Sequence, residues 1–161
     1  MTGTYDKPGL TIRDYRPQTD LDACLRVWRQ GSKAGHAFLS DEDLDEDEIL
    51  VRERYMPAAD IRVAQRDGEI VGFIALAGAF IGALFVDPAH HRAGVGRALL
   101  EDARRRRATL EVEVYAKNSL ARAFYARLGF VACGERPSDD RGRRHALIAM
   151  RLDAAAASEP I

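Results

Sequence analysis

The stretch from Leu84 to Phe130 leaves this chain the least freedom. An apolar run, Ala83-Leu84-Phe85-Val86, passes through Asp87-Pro88 into His91-Arg92-Ala93-Gly94-Val95-Gly96, and Arg97-Ala98-Leu99-Leu100 then continues as a helix. A strand that feeds a glycine-rich turn and then a helix N-terminus leaves several backbone N–H groups unpaired and aimed at one spot. Such a spot suits a phosphate or pyrophosphate. Further along, Leu110-Glu111-Val112-Glu113-Val114-Tyr115 alternates strictly, so Leu110, Val112 and Val114 share one face of a strand. A helical block follows, Asn118-Ser119-Leu120-Ala121-Arg122-Ala123-Phe124-Tyr125, closed by Leu128-Gly129-Phe130 with Gly129 as its C-terminal stop.

The rest of the chain supplies elements to pack around that stretch. Leu10–Tyr15 alternates as a first strand, and Leu21, Cys24, Leu25 and Trp28 recur at helical spacing. A glycine-rich turn is expected from Gly31 to Leu39. Ser40 lies three residues before Asp43, a capping-box start to a helix that turns Leu44, Val51 and Tyr55 inward and ends at Pro57. Asp67-Gly68 joins Ile61–Ala64 to Ile70–Ile74 as a hairpin, and Gly78-Ala79 turns into the strand Phe80–Val86. Phe130–Cys133 and Ala146–Leu152 read as closing strands. The order β-α-α-β-β-β-α-β-α-β-β predicts an α+β fold, a mixed sheet of about seven strands flanked by four helices. Residues 1–153 are expected to form one domain, with 1–8 frayed and 154–161 a disordered tail.

Composition narrows the function. The net charge of -1 argues against a nucleic-acid or anionic-membrane binder. Arg104–Arg107 sits at a helix C-terminus, where the dipole favours cations, and no aromatics interleave it. No apolar run reaches spanning length and no signal-peptide pattern opens the chain, so a cytoplasmic protein without membrane contact is expected. Cys24 and Cys133 form no CxxC pair, and no metal site is indicated. Two familiar phosphate loops also fail. A Walker A loop needs Lys-Ser/Thr after its last glycine, where Arg97-Ala98 stands, and a Rossmann fingerprint needs a third glycine and a downstream acid.

The short His-x-x-Gly-x-Gly form, followed in order by Asn-x-x-Ala-x-x-Phe-Tyr-x-x-x-Gly-Phe, resembles the two cofactor-binding blocks of the Gcn5-related N-acetyltransferases (GNAT). The likeness runs from the first strand to about Leu152. It is closest to small bacterial peptidyl-lysine or uncharacterised N-acetyltransferases, which share a Trp-containing first helix and a His-x-Phe-Leu turn, here Trp28 and His36-Ala37-Phe38-Leu39. The resemblance implies a mostly antiparallel sheet and acetyl-CoA as co-substrate. It implies backbone contacts from Leu84, Phe85 and Val86 to the pantetheine arm and acetyl carbonyl, and a pyrophosphate cradle from His91, Arg92, Ala93, Gly94, Val95, Gly96, Arg97 and Ala98. His91 departs from the family's usual Gln or Arg, a loss of charge that Arg92 or Arg97 could make good. Asn118 either touches pantetheine or caps its helix, and Arg122 and Arg127 either reach the adenosine 3′-phosphate or are solvated.

The same resemblance makes Tyr125 the general acid to the CoA thiolate, in direct transfer to a primary amine within a ternary complex; the alternative is a packing tyrosine. For a base, Glu113, Glu111, His36 and water stay open. Trp28, His36, Phe38 and Leu39 are candidate acceptor contacts, Trp28 being equally a core residue. The acceptor is a small-molecule amine or a protein lysine. Asp41–Glu48 carries seven acids in eight positions, either a rim attracting a cationic amine or a solvated helix start. Many family members pair through their last strands, so a homodimer is open. A catalytically idle acyl-CoA sensor on the same scaffold is the competing function.

Overall fold

In the computed structural model, which describes residues 5–7 and 9–153, strands β1 (Tyr5–Lys7) and β2 (Leu10–Asp14) form an antiparallel pair, with Gly9 left-handed at φ +82° between them. This first strand was not expected, because residues 1–8 carry no apolar alternation; it is held by backbone pairing, Tyr5 opposite Ile12. The tail expected at 154–161 lies outside the described residues.

Helix α1 (Pro17–Gly35) starts on Pro17, whose fixed φ suits a first helical turn, and runs straight through the predicted Gly31 turn. The reason is contact, not conformation. A Cβ on Gly31 would lie 2.9 Å from Phe85 Cδ1, so the glycine lets the helix press onto the sheet. Helix α2 (Asp41–Leu50) opens with the predicted capping box: Ser40 Oγ accepts from Asp43 N and Asp43 Oδ2 accepts from Ser40 N, each at 3.0 Å. It then widens into a π-type turn, Val51–Tyr55, and ends in a short α3 (Met56–Ala58). The wider turn shifts the helical phase, so Tyr55 faces out, 50% exposed, while Met56 is buried. Pro57 sits inside that last turn instead of ending the helix at its own position.

Strands β3 (Asp60–Arg66), β4 (Glu69–Ala77) and β5 (Phe80–Val86) form the expected antiparallel meander, and the loop Pro88–His90 leads to α4 (Val95–Arg106). Strand β6 (Thr109–Tyr115), helix α5 (Ser119–Arg127), β7 (Val131–Arg136) and β8 (Leu147–Asp153) complete the chain. The sheet order is β1-β2-β3-β4-β5-β6-β8-β7, so the predicted seven-strand sheet is present with β1 added at its edge. No helix among the described residues is long and apolar enough to cross a membrane.

Apolar residues pack in two clusters. One gathers Leu10, Ile12, Ile74, Leu99 and Leu110; the other gathers Cys24, Val27, Trp28, Val63 and Phe73. From Ile70 to Leu76 every residue of β4 is buried, the pattern of a strand covered on both faces. The arginine run at the end of α4 is structural. Arg106 and Arg107 both donate to Asp60, at 2.6 and 2.8 Å, and Arg107 Nε donates to the Gly78 carbonyl at 2.9 Å.

A buried ion pair fastens α4 to the sheet. Arg62 donates to both oxygens of Asp102 at 3.1 Å, with both side chains 3% exposed, and its Nη1 reaches Asp14 at 2.8 Å. Removing one partner strands the other charge out of water. Asp102→Ala should therefore cost about 3–5 kcal/mol of stability in urea denaturation. A second buried acid, Asp20, accepts from Arg13 at 2.8 and 3.0 Å and from Arg16 N at 2.7 Å, and the Arg13 bond above all holds its carboxyl below the ordinary 3.8. Its stabilisation is complete above that value and fades as acid protonates it, so Asp20→Asn should flatten the loss of stability below about pH 4.

Candidate active site

Strands β5 and β6 run parallel, but they pair only at Phe80–Glu111 and Ile81–Val112. Beyond Ile81 they part. Leu84, Phe85 and Val86 are paired with β4 on one side, opposite Ile74, Phe73 and Gly72, and among the described residues have no strand partner on the other. The result is a gap inside the sheet with unspent backbone donors and acceptors along one wall.

The loop after β5 points the same way. Asp87 N donates to the Val71 carbonyl at 2.8 Å, and the Asp87 side chain accepts from Ala89 N at 3.0 Å, which anchors the turn. Arg92 and Gly94 are both left-handed, at φ +67° and +80°, with Ala93 between them. Alternation of this kind turns successive N–H groups into one concavity. Gly94 caps α4 without any side-chain cap, and among the described residues the N–H groups of Gly94, Val95, Gly96 and Arg97 have no partner. Gly96 permits close packing here, since a Cβ would stand 3.3 Å from the Phe124 ring. His91, where the resemblance marks a loss of charge, turns its Nε2 to the Val86 carbonyl at 3.3 Å. A pyrophosphate fits this cradle by its donor set, although no cationic side chain is needed to form it.

Asn118 begins the other wall. Its Oδ1 accepts from Ala121 N at 3.1 Å, so it caps α5, while its Nδ2 stands 3.1 Å from where a Gly35 Cβ would be. It thus fills the junction between the end of α1 and the start of α5. Arg122 Nη1 donates to the Ala116 carbonyl at 3.1 Å. Tyr125, one helical face further, is 5% exposed and packs edge-on against Phe124 and Phe130, in the cluster that includes Leu84, Val86 and Val114. Its hydroxyl has no hydrogen-bond partner among the described residues. Burial raises the phenol well above its usual 10, so it stays protonated at neutral pH.

The acceptor candidates divide. Trp28 and Leu39 are core residues, at 6% and 8% exposure, in the cluster against which Phe38, Phe85 and Tyr115 pack. His36 and Phe38 do come together with Phe85: His36 lies 6.2 Å from the Phe85 ring and 5.7 Å from Phe38. Two aromatic neighbours were missed from the sequence. Tyr115, the last residue of β6, packs 4.9 Å from both His36 and Phe38, and His145, from the loop before β8, packs 4.7 Å from Phe38. Tyr115 could have been found as the end of an alternating strand; His145 carried no local signal. Burial pushes His36 down to about 4, against a smaller opposing pull from Asp47.

Glu113 does not face an open site. Arg136 donates to both its oxygens at 2.9 Å. Glu111, on the same face, meets Arg151 at 3.0 Å. The acidic run of α2 is likewise engaged: Asp45 with Arg29 at 2.7 Å, Glu46 with Arg141 at 3.2 Å, Asp47 with Arg141 at 2.9 Å and with Arg143. Arg143 also reaches Asp139, which is buried and accepts the Tyr115 hydroxyl at 2.8 Å. Asp45 ties α2 to α1, while Glu46 and Asp47 strap it to the loop between β7 and β8, and neither a bare acidic rim nor a merely solvated helix start describes them.

A family model described as an acetyltransferase (GNAT) domain matches residues 57–132, which span the split strands, the cradle and α5. The peptidyl-lysine N-acetyltransferase YjaB of Escherichia coli is 39% identical over 141 residues, covering 86% of this chain and 94% of that protein. The chain belongs to the GNAT acetyltransferases. It is an N-acetyltransferase. Peptidyl-lysine N-acetyltransferase YiaC of Escherichia coli is 35% identical over 114 residues, 70% of this chain and 78% of that one. The solution structure of apo YjaB from Escherichia coli superposes with a TM-score of 0.80 at 34% identity, over 88% of this chain and 96% of that one.

The state of His36 is open to test. A histidine held below its ordinary 6.5 takes up protons more readily unfolded than folded. Its contribution to stability is therefore whole above about pH 6.5 and is lost as pH falls toward 4. An NMR titration of the His36 ring should show a midpoint near 4, and His36→Phe should lessen the stability lost over that interval.

Proposed function

We propose that this GNAT enzyme moves the acetyl group of acetyl-CoA to the side-chain amine of a protein lysine, by direct transfer in a ternary complex. The observation that carries the reading is two sets of unused backbone groups on either side of one loop, the edge of Leu84–Val86 that no strand pairs among the described residues and the N–H groups of Gly94–Arg97. A strand edge matches the amides of a pantetheine arm, and a helix N-terminus matches a pyrophosphate. Arg92 completes the cradle, whereas the N–H groups of Ala93 and Ala98 are spent on the His90 and Gly94 carbonyls at 3.3 and 3.0 Å, and Asn118 forms the opposite wall. The lysine acceptor draws on the named activities of the YjaB and YiaC relatives. Those relatives come from a bacterium, which supports a bacterial setting.

When bound, acetyl-CoA supplies an acetyl group already activated as a thioester. Backbone N–H within Leu84–Val86 is placed to stabilise charge on the acetyl oxygen, which a fixed dipole does without reorganising. The Tyr125 hydroxyl, protonated and without a partner, donates its proton to the departing sulfur. No side chain here is assigned as the base. Glu113 is engaged by Arg136, and His36 is too weak a base near neutrality. The acceptor ammonium gives one proton to water before it attacks, and the second proton that its nitrogen sheds as the C–S bond breaks passes through water to restore the Tyr125 phenol.

Three outcomes follow from these roles. Tyr125→Phe should lower kcat by about 100-fold or more while acetyl-CoA affinity by calorimetry changes little. Gly94→Glu, which puts a side chain at a left-handed position in the cradle, should abolish acetyl-CoA binding. Without a side-chain base, kcat/KM should keep rising with pH from about 6 toward the amine's own value near 10, with no plateau between. Tight acetyl-CoA binding with no turnover across lysine peptides and small amines would instead make the protein an acyl-CoA sensor.

A further inference from the structure

Acids and bases of α2 and of the loop before β8 surround His36, Phe38, Tyr115 and His145. The acids of α2 nearest this aromatic cluster are spent on Arg141 and Arg143, and Asp139 is spent on Tyr115 and Arg143. Lys117, two residues past the end of β6, is exposed and has no such partner. Its ammonium donates to His145 Nδ1 at 3.0 Å and stands 5.3 Å from the centre of the Phe38 ring, and among the described residues no carboxylate is within ion-pair reach. Asn118, the next residue, is the wall between α1 and α5. A cation without a direct ion-pair partner therefore sits beside the aromatic cluster.

We propose that Lys117 is a specificity-determining residue that selects acceptor lysines flanked by acidic residues. The inference rests on the peptidyl-lysine reading above and adds the substrate class. An incoming lysine carries its own positive charge in solution and is repelled by Lys117. An acidic neighbour in the peptide reverses the sign of that encounter and takes the place of the missing carboxylate partner. Because the pair forms at the surface, the preference is modest, about two- to fivefold in kcat/KM. It also weakens with salt, since the screening length falls from about 8 Å at physiological ionic strength to about 3 Å at 1 M.

The test uses three lysine peptides of one sequence, flanked by Asp, Ser or Arg, with the wild type, Lys117→Gln and Lys117→Glu. Acetyl-CoA affinity of each variant is measured alongside. The wild type should prefer the Asp-flanked peptide, Lys117→Gln should lose the preference, and Lys117→Glu should favour the Arg-flanked peptide; about 0.5 M salt should level the wild type. Equal rates on all three peptides, or an acid preference kept by Lys117→Glu, overturn the inference and leave the lysine-acceptor reading standing. If acetyl-CoA binds but none of the peptides is acetylated while a free small amine is, both fall together.

Discussion

Two strands at the centre of the sheet stop pairing, and the molecule is organised around that separation. Unpaired backbone groups in the middle of a sheet carry a desolvation cost unless water or a ligand meets them. Here they are kept available. Strand β4 holds β5 on one side and β8 holds β6 on the other, so neither can move over to close the gap. Helix α1 leans on β5 through Gly31, and α4 is tied down by Arg62 and Asp102. The cradle at Gly94 and the phenol of Tyr125 are then fixed relative to one strand edge, which is the preorganisation an acyl transfer needs.

Charge does a different job on the two sides. On the cofactor side, partial charges on backbone N–H groups do the binding, and His91, Arg97 and Glu101 are turned to local bonds. On the acceptor side, full charges hold loops together. Arg141 and Arg143 reach acids of α2 more than ninety residues away in sequence. Each exposed pair contributes little alone, but Asp139 is buried with Tyr115, two backbone N–H groups and Arg143 around it, so the group behaves as one knot. That knot places Tyr115 and His145 beside His36 and Phe38.

Short-range signals were readable in advance. The Asp67-Gly68 hairpin, the Ser40 capping box, the alternation of β6 and the Asn118 cap each depend on residues within a few positions. So does the glycine cradle, because φ +80° at Gly94 is a backbone demand. What stayed hidden depends on distant partners. Gly31 looks like a turn until Phe85 is known to press on it. Glu113 looks like a base until Arg136 arrives from β7, and Asp41–Glu48 looks like a bare acidic surface until arginines of another loop cover it. Tyr55 was misplaced for a subtler reason: one wide turn in the helix changes the phase, and periodicity alone assumes it constant.

The contact between Gly35 and the Asn118 amide joins the two halves of the gap. The last turn of α1 carries the aromatic group toward the acceptor, and the first turn of α5 carries the wall toward the thioester. Both therefore bear on a single point where no Cβ intervenes. If occupancy of one half shifts this junction, the other half meets the shift at the same atoms. Thermodynamic linkage makes that communication symmetric: whatever factor the donor applies to the hold on the acceptor, the acceptor applies to the hold on the donor.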